Sequence, residues 1–166
     1  MNPLVQFDFT VDKANNAIHI NRAFEAPLPL VWEAWTNPAI KDLWWAPKPY
    51  TNTTVLHDFK PGGRWMYFMS SPEGEKHYCV ADFDKIVESE MFSYLDGFSD
   101  ENGVIESSMP RSHWTTSFIE HQGKCSVVIA IQYESLDNLE MVVEMGFKEG
   151  FGMAMENLDQ YFEAKR

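Results

Sequence analysis

Residues 144–162 read EMGFKEGFGMAMENLDQYF, and the fold turns on this stretch. Phe147, Phe151, Ala154, Leu158 and Tyr161 are spaced four, three, four and three. That spacing predicts an apolar stripe on a helix of roughly 17 residues. Glu149, Glu156, Asp159, Gln160 and Glu163 fall on the other side, as on a solvated face. Ser135 is placed to N-cap a shorter helix at 136–145, which Gly146 ends. An amphipathic helix of this length needs an apolar surface to lie on, and the preceding residues supply one.

From residue 50 to 134 the period is two. Candidate strands are 52–59, 64–70, 75–87, 90–98, 111–121 and 124–134. They are separated by Pro61-Gly62-Gly63, by SSPEG at 70–74, by a two-residue hairpin Glu88-Ser89, by the polar loop DGFSDENG at 96–103, and by His121-Gln122-Gly123-Lys124. The last is a tight reversal that places Gly123 at positive φ. Further upstream, 17–25 alternates Ile18, Ile20, Arg22 and Phe24 against Ala17, His19, Asn21 and Ala23. Two short helices follow. One runs from Leu30 to Trp35 behind Pro27 and Pro29. The other spans 38–43, with Asn37 as N-cap and Pro38 at the first helical position.

The order strand, two helices, six strands, long helix predicts one α+β domain over 1–166, with 1–16 as an extended N-terminal segment. Short connections favour a seven-stranded antiparallel sheet, curved about the terminal helix. Such a wrap leaves a hollow between helix and sheet. Twelve Phe, six Trp, six Tyr and nine Met are available either to fill it or to line it.

Lys+Arg is 13 against Asp+Glu 25, a formal charge of −12. That balance argues against a nucleic-acid partner and against an anionic membrane surface. Two cysteines, Cys79 and Cys125, make neither a disulfide framework nor a zinc motif, so no metal and no cofactor are expected. The first residues, MNPLVQFDFTVDK, lack a basic segment followed by an apolar one, and no apolar run is long enough to span a bilayer. A cytoplasmic location is the expectation.

Three segments carry a family resemblance. FEAPLPLVWEAWTNPAIKDLWWAPKPY at 24–50 resembles the N-terminal signature of the Hsp90 ATPase activator homologue family. HDFKPGGRWMYFM at 57–69 resembles its acidic-x-basic-Pro-Gly-Gly-x-Trp strand entry, and the 144–162 stretch resembles its closing helix. The likeness covers about residues 17–164. It departs at Ala46, where the family commonly has Gly, at Lys60, where Arg is usual, and at Glu88-Ser89, where a Pro-Pro hairpin is usual. The resemblance implies the Bet v 1-like, START-like helix-grip fold of the SRPBCC superfamily. Its members bind, carry or transform many apolar molecules. The family's namesake co-chaperone carries an additional N-terminal domain, and nothing before residue 17 is long enough to be one.

Candidate ligand-binding residues come from the strand faces. Arg64 suits a core poorly, so Trp65, Tyr67 and Met69 should face the helix. Trp114, Thr116 and Phe118 share a face of 111–121. Of the adjacent pair Trp44 and Trp45, Trp45 adjoins the Pro47 loop and is the candidate for the pocket side. Met145 and Met153 are candidate liners from the helical region, since Met adapts to varied ligands. For each of these, core packing is the competing reading.

No motif of nucleophilic, metal or nucleotide chemistry is present, and no catalytic residue set is singled out. Asp82 and Asp84 share a strand face that is ordinarily solvated. Turned inward, Asp82 would have a raised pKa and could act as a base. Gly146, Gly150 and Gly152 are read as letting the helix backbone approach the sheet. The expected function is binding of a small hydrophobic or aromatic molecule in the hollow. The alternatives are a modulator of an Hsp90-type chaperone, and a cyclase- or hydrolase-like enzyme using Asp82, His77, His113 or Tyr67 as acid or base. A homodimer through an exposed strand edge is a further candidate assembly.

Overall fold

The alternation at 17–25 becomes strand β2 (Ala17–Phe24), which buries Ile18, Ile20, Arg22 and Phe24. The structure, a computed structural model, describes residues 7–165. Two helices follow β2, α1 (Leu28–Thr36) and α2 (Pro38–Trp44). The Asn37 side chain accepts a 3.0 Å hydrogen bond from Ala39 N and caps α2. Then come β3 (Thr51–His57), β4 (Arg64–Ser70), β5 (Lys76–Val87), β6 (Met91–Ser99), β7 (Ser112–His121) and β8 (Lys124–Tyr133). Helices α3 (Leu136–Glu144) and α4 (Phe147–Ala164) complete the chain. Ser135 Oγ accepts from Asn138 N at 3.1 Å, and Gly146 takes a φ of 88° between the two helices.

The strands form one antiparallel sheet in the order β1-β2-β8-β7-β6-β5-β4-β3. The eighth strand is β1 (Phe7–Asp12), which pairs with β2 from Phe7↔Arg22 to Asp12↔Ala17. The expected seven strands left it in an N-terminal segment, whose residues 1–6 lie outside the described part. Its signal is the alternation of Phe7, Phe9 and Val11. Phe7 and Phe9 sit 6.5 Å from Phe151 and 5.8 Å from Phe147, so β1 adds rings to the α4 seat. Two turns also differ from expectation. The β5–β6 connection has three residues, with Ser89 at a φ of 63°, and β6 continues through Ser99 before the polar loop begins.

Twist and two register shifts, between Thr54 and Leu56 in β3 and between Phe83 and Ile86 in β5, bend the sheet toward α4. Helix α4 buries Phe151, Ala154, Met155, Leu158 and Phe162. Each large one contributes about 1.5–3 kcal/mol by leaving water. The stripe is rotated slightly from the predicted one, since Phe162 is buried and Tyr161 only half-buried. Asp159 is partly exposed, yet it is also tied to the sheet. It accepts a hydrogen bond from the buried Arg22, whose guanidinium also lies 4.9 Å from the Phe24 ring. This pair pins α4 to β2.

The helix glycines are not required by close approach. A Cβ at Gly150 would stand 3.7 Å from Pro47 Cγ, and one at Gly152 would stand 3.6 Å from Phe7 Cε2. Both are ordinary contacts.

The hollow is filled at one end only. Trp32 of α1 meets Phe118, Phe92 and Phe59 at 5.0, 6.0 and 6.2 Å between ring centroids. The other end, between β4–β7 and the start of α4, is open.

Candidate functional site

That open end is a cavity of about 450 Å³. The pleat places alternate side chains of neighbouring strands on one wall. Strand β4 contributes Trp65, Tyr67 and Met69, β5 contributes Cys79 and Ala81, and β6 contributes Tyr94 and Asp96. Strand β7 adds Ser112 and Trp114, while Phe147, Phe151 and Ala154 of α4 form the opposite wall. Exposed His77 and Met145 are at the rim.

The rings are held by one another. Trp65 and Tyr67 stack at 4.0 Å, and Tyr94 and Trp114 stack at 5.6 Å. Trp45 stands edge-on to Trp65 at 5.4 Å and lies 6.1 Å from Trp114. Its neighbour Trp44 turns away into the core and donates from Nε1 to Ala34 O at 3.0 Å. Adjacent residues on a short helix end thus serve different roles, one locking α2 on α1, the other walling the cavity.

Of the candidate ligand-binding residues, Trp45, Trp65, Tyr67, Met69, Trp114 and Met145 line the cavity. Thr116, Phe118 and Met153 do not. Phe118 is spent in the ring cluster under Trp32. Thr116, on the same strand face, is fully buried, and its Oγ1 has no hydrogen-bond partner among the described residues. Met153 is 40% exposed, because the buried stripe of α4 passes through Ala154 and Met155 instead.

The acid–base candidates are not brought together. Asp82 lies outside the cavity wall, bound by Arg64 and Arg111. Burial pushes its carboxyl up, but the hydrogen bonds from the two guanidiniums outweigh this and hold it below the usual carboxylate range. The inward Asp82 base is therefore corrected. His113 is 3.6 Å from the exposed Asp84, away from the cavity. His77 is at the rim, 3.0 Å from Glu75. Tyr67 alone of the four is deep in the wall. Burial raises its pKa well above that of a free phenol, as it does for Tyr94 and Tyr133, so all three stay neutral. Burial likewise pushes the Cys79 thiol up to about 12, which leaves no thiolate nucleophile.

Among the described residues the one acidic side chain in the wall is Asp96. Pairing between β6 and β7 stops at Leu95↔His113, and Asp96 takes over where the ladder ends. Its Oδ1 accepts from Ser112 N and Ser112 Oγ, both at 2.8 Å. Its Oδ2 accepts from Trp114 Nε1 at 2.9 Å. Burial raises its pKa, partly offset by those hydrogen bonds. By sequence, Asp96 falls both in strand 90–98 and at the start of the loop 96–103, and it is not named as a site residue. The signal was parity, because Phe92, Tyr94 and Asp96 are two residues apart and share the inward face.

Among the described residues no group of three or more His, Cys, Asp or Glu is arranged to hold a metal ion, and no helix is long and apolar enough to cross a membrane.

Known proteins place this geometry. The family model described as "Activator of Hsp90 ATPase homolog 1-like protein" matches residues 25–163. Protein Ms6760 from Mycobacterium smegmatis is 32% identical over 93% of this chain and 94% of its own, with a TM-score of 0.86. A protein from Arthrobacter aurescens, solved by NMR, is 28% identical over 92% of this chain and 88% of its own, also at 0.86. One from Staphylococcus epidermidis is 25% identical over 95% of each chain, at 0.83. No curated protein matches the chain. The architecture is the α+β helix-grip fold of the Bet v 1-like, SRPBCC superfamily, with eight strands in this chain's sheet.

Proposed function

This chain belongs to the activator of Hsp90 ATPase homolog 1-like family, and on that footing we propose that it binds a small hydrophobic or aromatic molecule in the cavity between sheet and α4. The observation that carries this reading is the unfilled end of the hollow. A space of about 450 Å³, left by the protein's own rings beside a close-packed ring cluster, offers a largely apolar surface to a ligand. Its volume is in the range of small-molecule sites, about 300–1,000 Å³, and its walls have the composition of such sites, largely apolar with a few polar groups. Binding is driven by apolar area removed from water, about 25 cal/mol per Å².

The test is native mass spectrometry of the purified protein, followed by thermal unfolding with naphthylmethanol. A co-purifying small molecule, or a midpoint that rises with concentration, supports the reading, since a ligand of the native state alone raises stability. A chain that is empty as purified and shows no shift up to the solubility limit overturns it.

A further inference from the structure

An apolar cavity usually excludes charge, because an isolated buried carboxylate is expensive. Among the described residues Asp96 is the only Asp or Glu in this wall, and no Lys or Arg lines the cavity beside it. Arg111 acts on Asp96 from outside the cavity lining. Its guanidinium donates to the Asp96 backbone carbonyl at 2.9 Å and to the Asp82 carboxylate at 2.8 Å.

Three donors fix the Asp96 carboxyl from the Ser112 and Trp114 side, so it is held as an acceptor. A carboxylate offers about four lone-pair positions. Three are used here, which leaves one on Oδ2. Trp114 presents its indole N–H edge to this carboxyl, and Tyr94, stacked on Trp114, stands in the same wall with Trp45, Tyr67 and Tyr133. An acceptor with a free lone pair in an aromatic wall, with no Lys or Arg among the described lining residues, describes a receptor for an ammonium group.

We propose that the cavity selects amines, with the apolar body of the ligand filling the aromatic box and its ammonium taken by the Asp96 carboxylate. This rests on the binding reading above and narrows it to a ligand class. The formal charge of −12 favours the approach of such a cation over an anion.

The proposal carries a pH signature. Burial raises the Asp96 pKa in the free protein, and a bound ammonium lowers it again. Below the raised value the amine must displace a proton, so affinity falls as pH falls. The other groups facing Asp96 are Tyr67 of β4, Cys79 of β5, Tyr94 of β6 and Tyr133 of β8, all held neutral by burial, and the Arg111 guanidinium, which lowers the Asp96 pKa in part. His77 lines the rim beside Glu75 and is replaced as a control.

The experiment uses three probes of one shape, naphthylmethylamine, naphthylmethanol and naphthoate, with calorimetric titration into the full chain. The expected order is amine over alcohol by about tenfold or more, with naphthoate weakest. Asp96→Asn should bring the amine-to-alcohol ratio near one while the alcohol still binds. In the wild-type chain and in His77→Gln, amine affinity should decline as pH is lowered toward the ordinary carboxylate range while alcohol affinity stays level. These two chains keep the test decisive if Asp96→Asn does not fold. Alcohol binding without amine preference, or a pH decline abolished by His77→Gln, overturns the amine assignment and leaves the cavity reading standing. Absence of binding by all three probes overturns both.

Discussion

Lys41 Nζ lies 3.0 Å from His57 Nε2, and the same ammonium carbon chain ends 3.5 Å from the centroid of the Trp65 ring. Lys41 is buried, and which of the two nitrogens donates depends on the His57 tautomer and on the Lys41 proton. The pair lies behind the cavity wall, against the ring that Tyr67 stacks on.

This pair makes stability depend on pH. Burial, then the neighbouring Lys41 charge, lowers the His57 pKa to about 4. In the unfolded chain the imidazole regains its ordinary value near 6.5. Between those values the unfolded state binds the extra proton, so stability is full above the upper one and is lost as pH falls toward the lower. Burial also lowers the Lys41 pKa, so its contribution keeps improving as pH rises toward the ordinary lysine range. Thermal midpoints should therefore fall steadily from about pH 7 to about pH 4. Lys41→Met keeps the stem packing and removes the buried amine, and it should stabilise the chain at neutral pH by on the order of 1 kcal/mol. A lower midpoint for this variant would mean that the contact with Trp65 outweighs the desolvation.

Thr116 offers a second test in the core. Its hydroxyl is fully buried without a partner among the described residues. Thr116→Val has nearly the same shape and removes the unsatisfied group. Chemical denaturation should show a gain of about 1 kcal/mol.

Gly152 sits in the middle of α4, where a methyl group would meet only Phe7 Cε2 at van der Waals distance. Gly152→Ala should stabilise by about 0.5–1 kcal/mol through the lower entropy of the unfolded chain. Denaturant midpoints check it, and a loss would show that β1 packs more tightly on α4 than the distance implies.

Ala154 is buried on α4 and lines the cavity. Ala154→Leu directs extra volume into that space rather than into packed side chains. Naphthylmethanol should bind about tenfold more weakly, with the unfolding midpoint unchanged or raised. Unaltered affinity in a stable variant would place the bound molecule elsewhere.

The sequence by itself determined the strand alternation, the α4 stripe and the inward face of β4. Those features are local, because side-chain direction repeats every two residues in a strand and every 3.6 in a helix. Arg64, unsuited to a core, was enough to turn Trp65, Tyr67 and Met69 toward α4, and all three line the cavity. The tertiary structure alone decided which end of the hollow stays open. Phe118 and Trp114 share one strand face, yet Trp32 descends from α1 onto the first, while the second, packed between Tyr94 and Phe147, lines the cavity. It also decided that Asp96 joins Ser112, 16 residues away, and that Arg22 meets Asp159, 137 residues away. Such meetings depend on how far the sheet curls and where each helix comes to rest, and no periodicity within a segment encodes either.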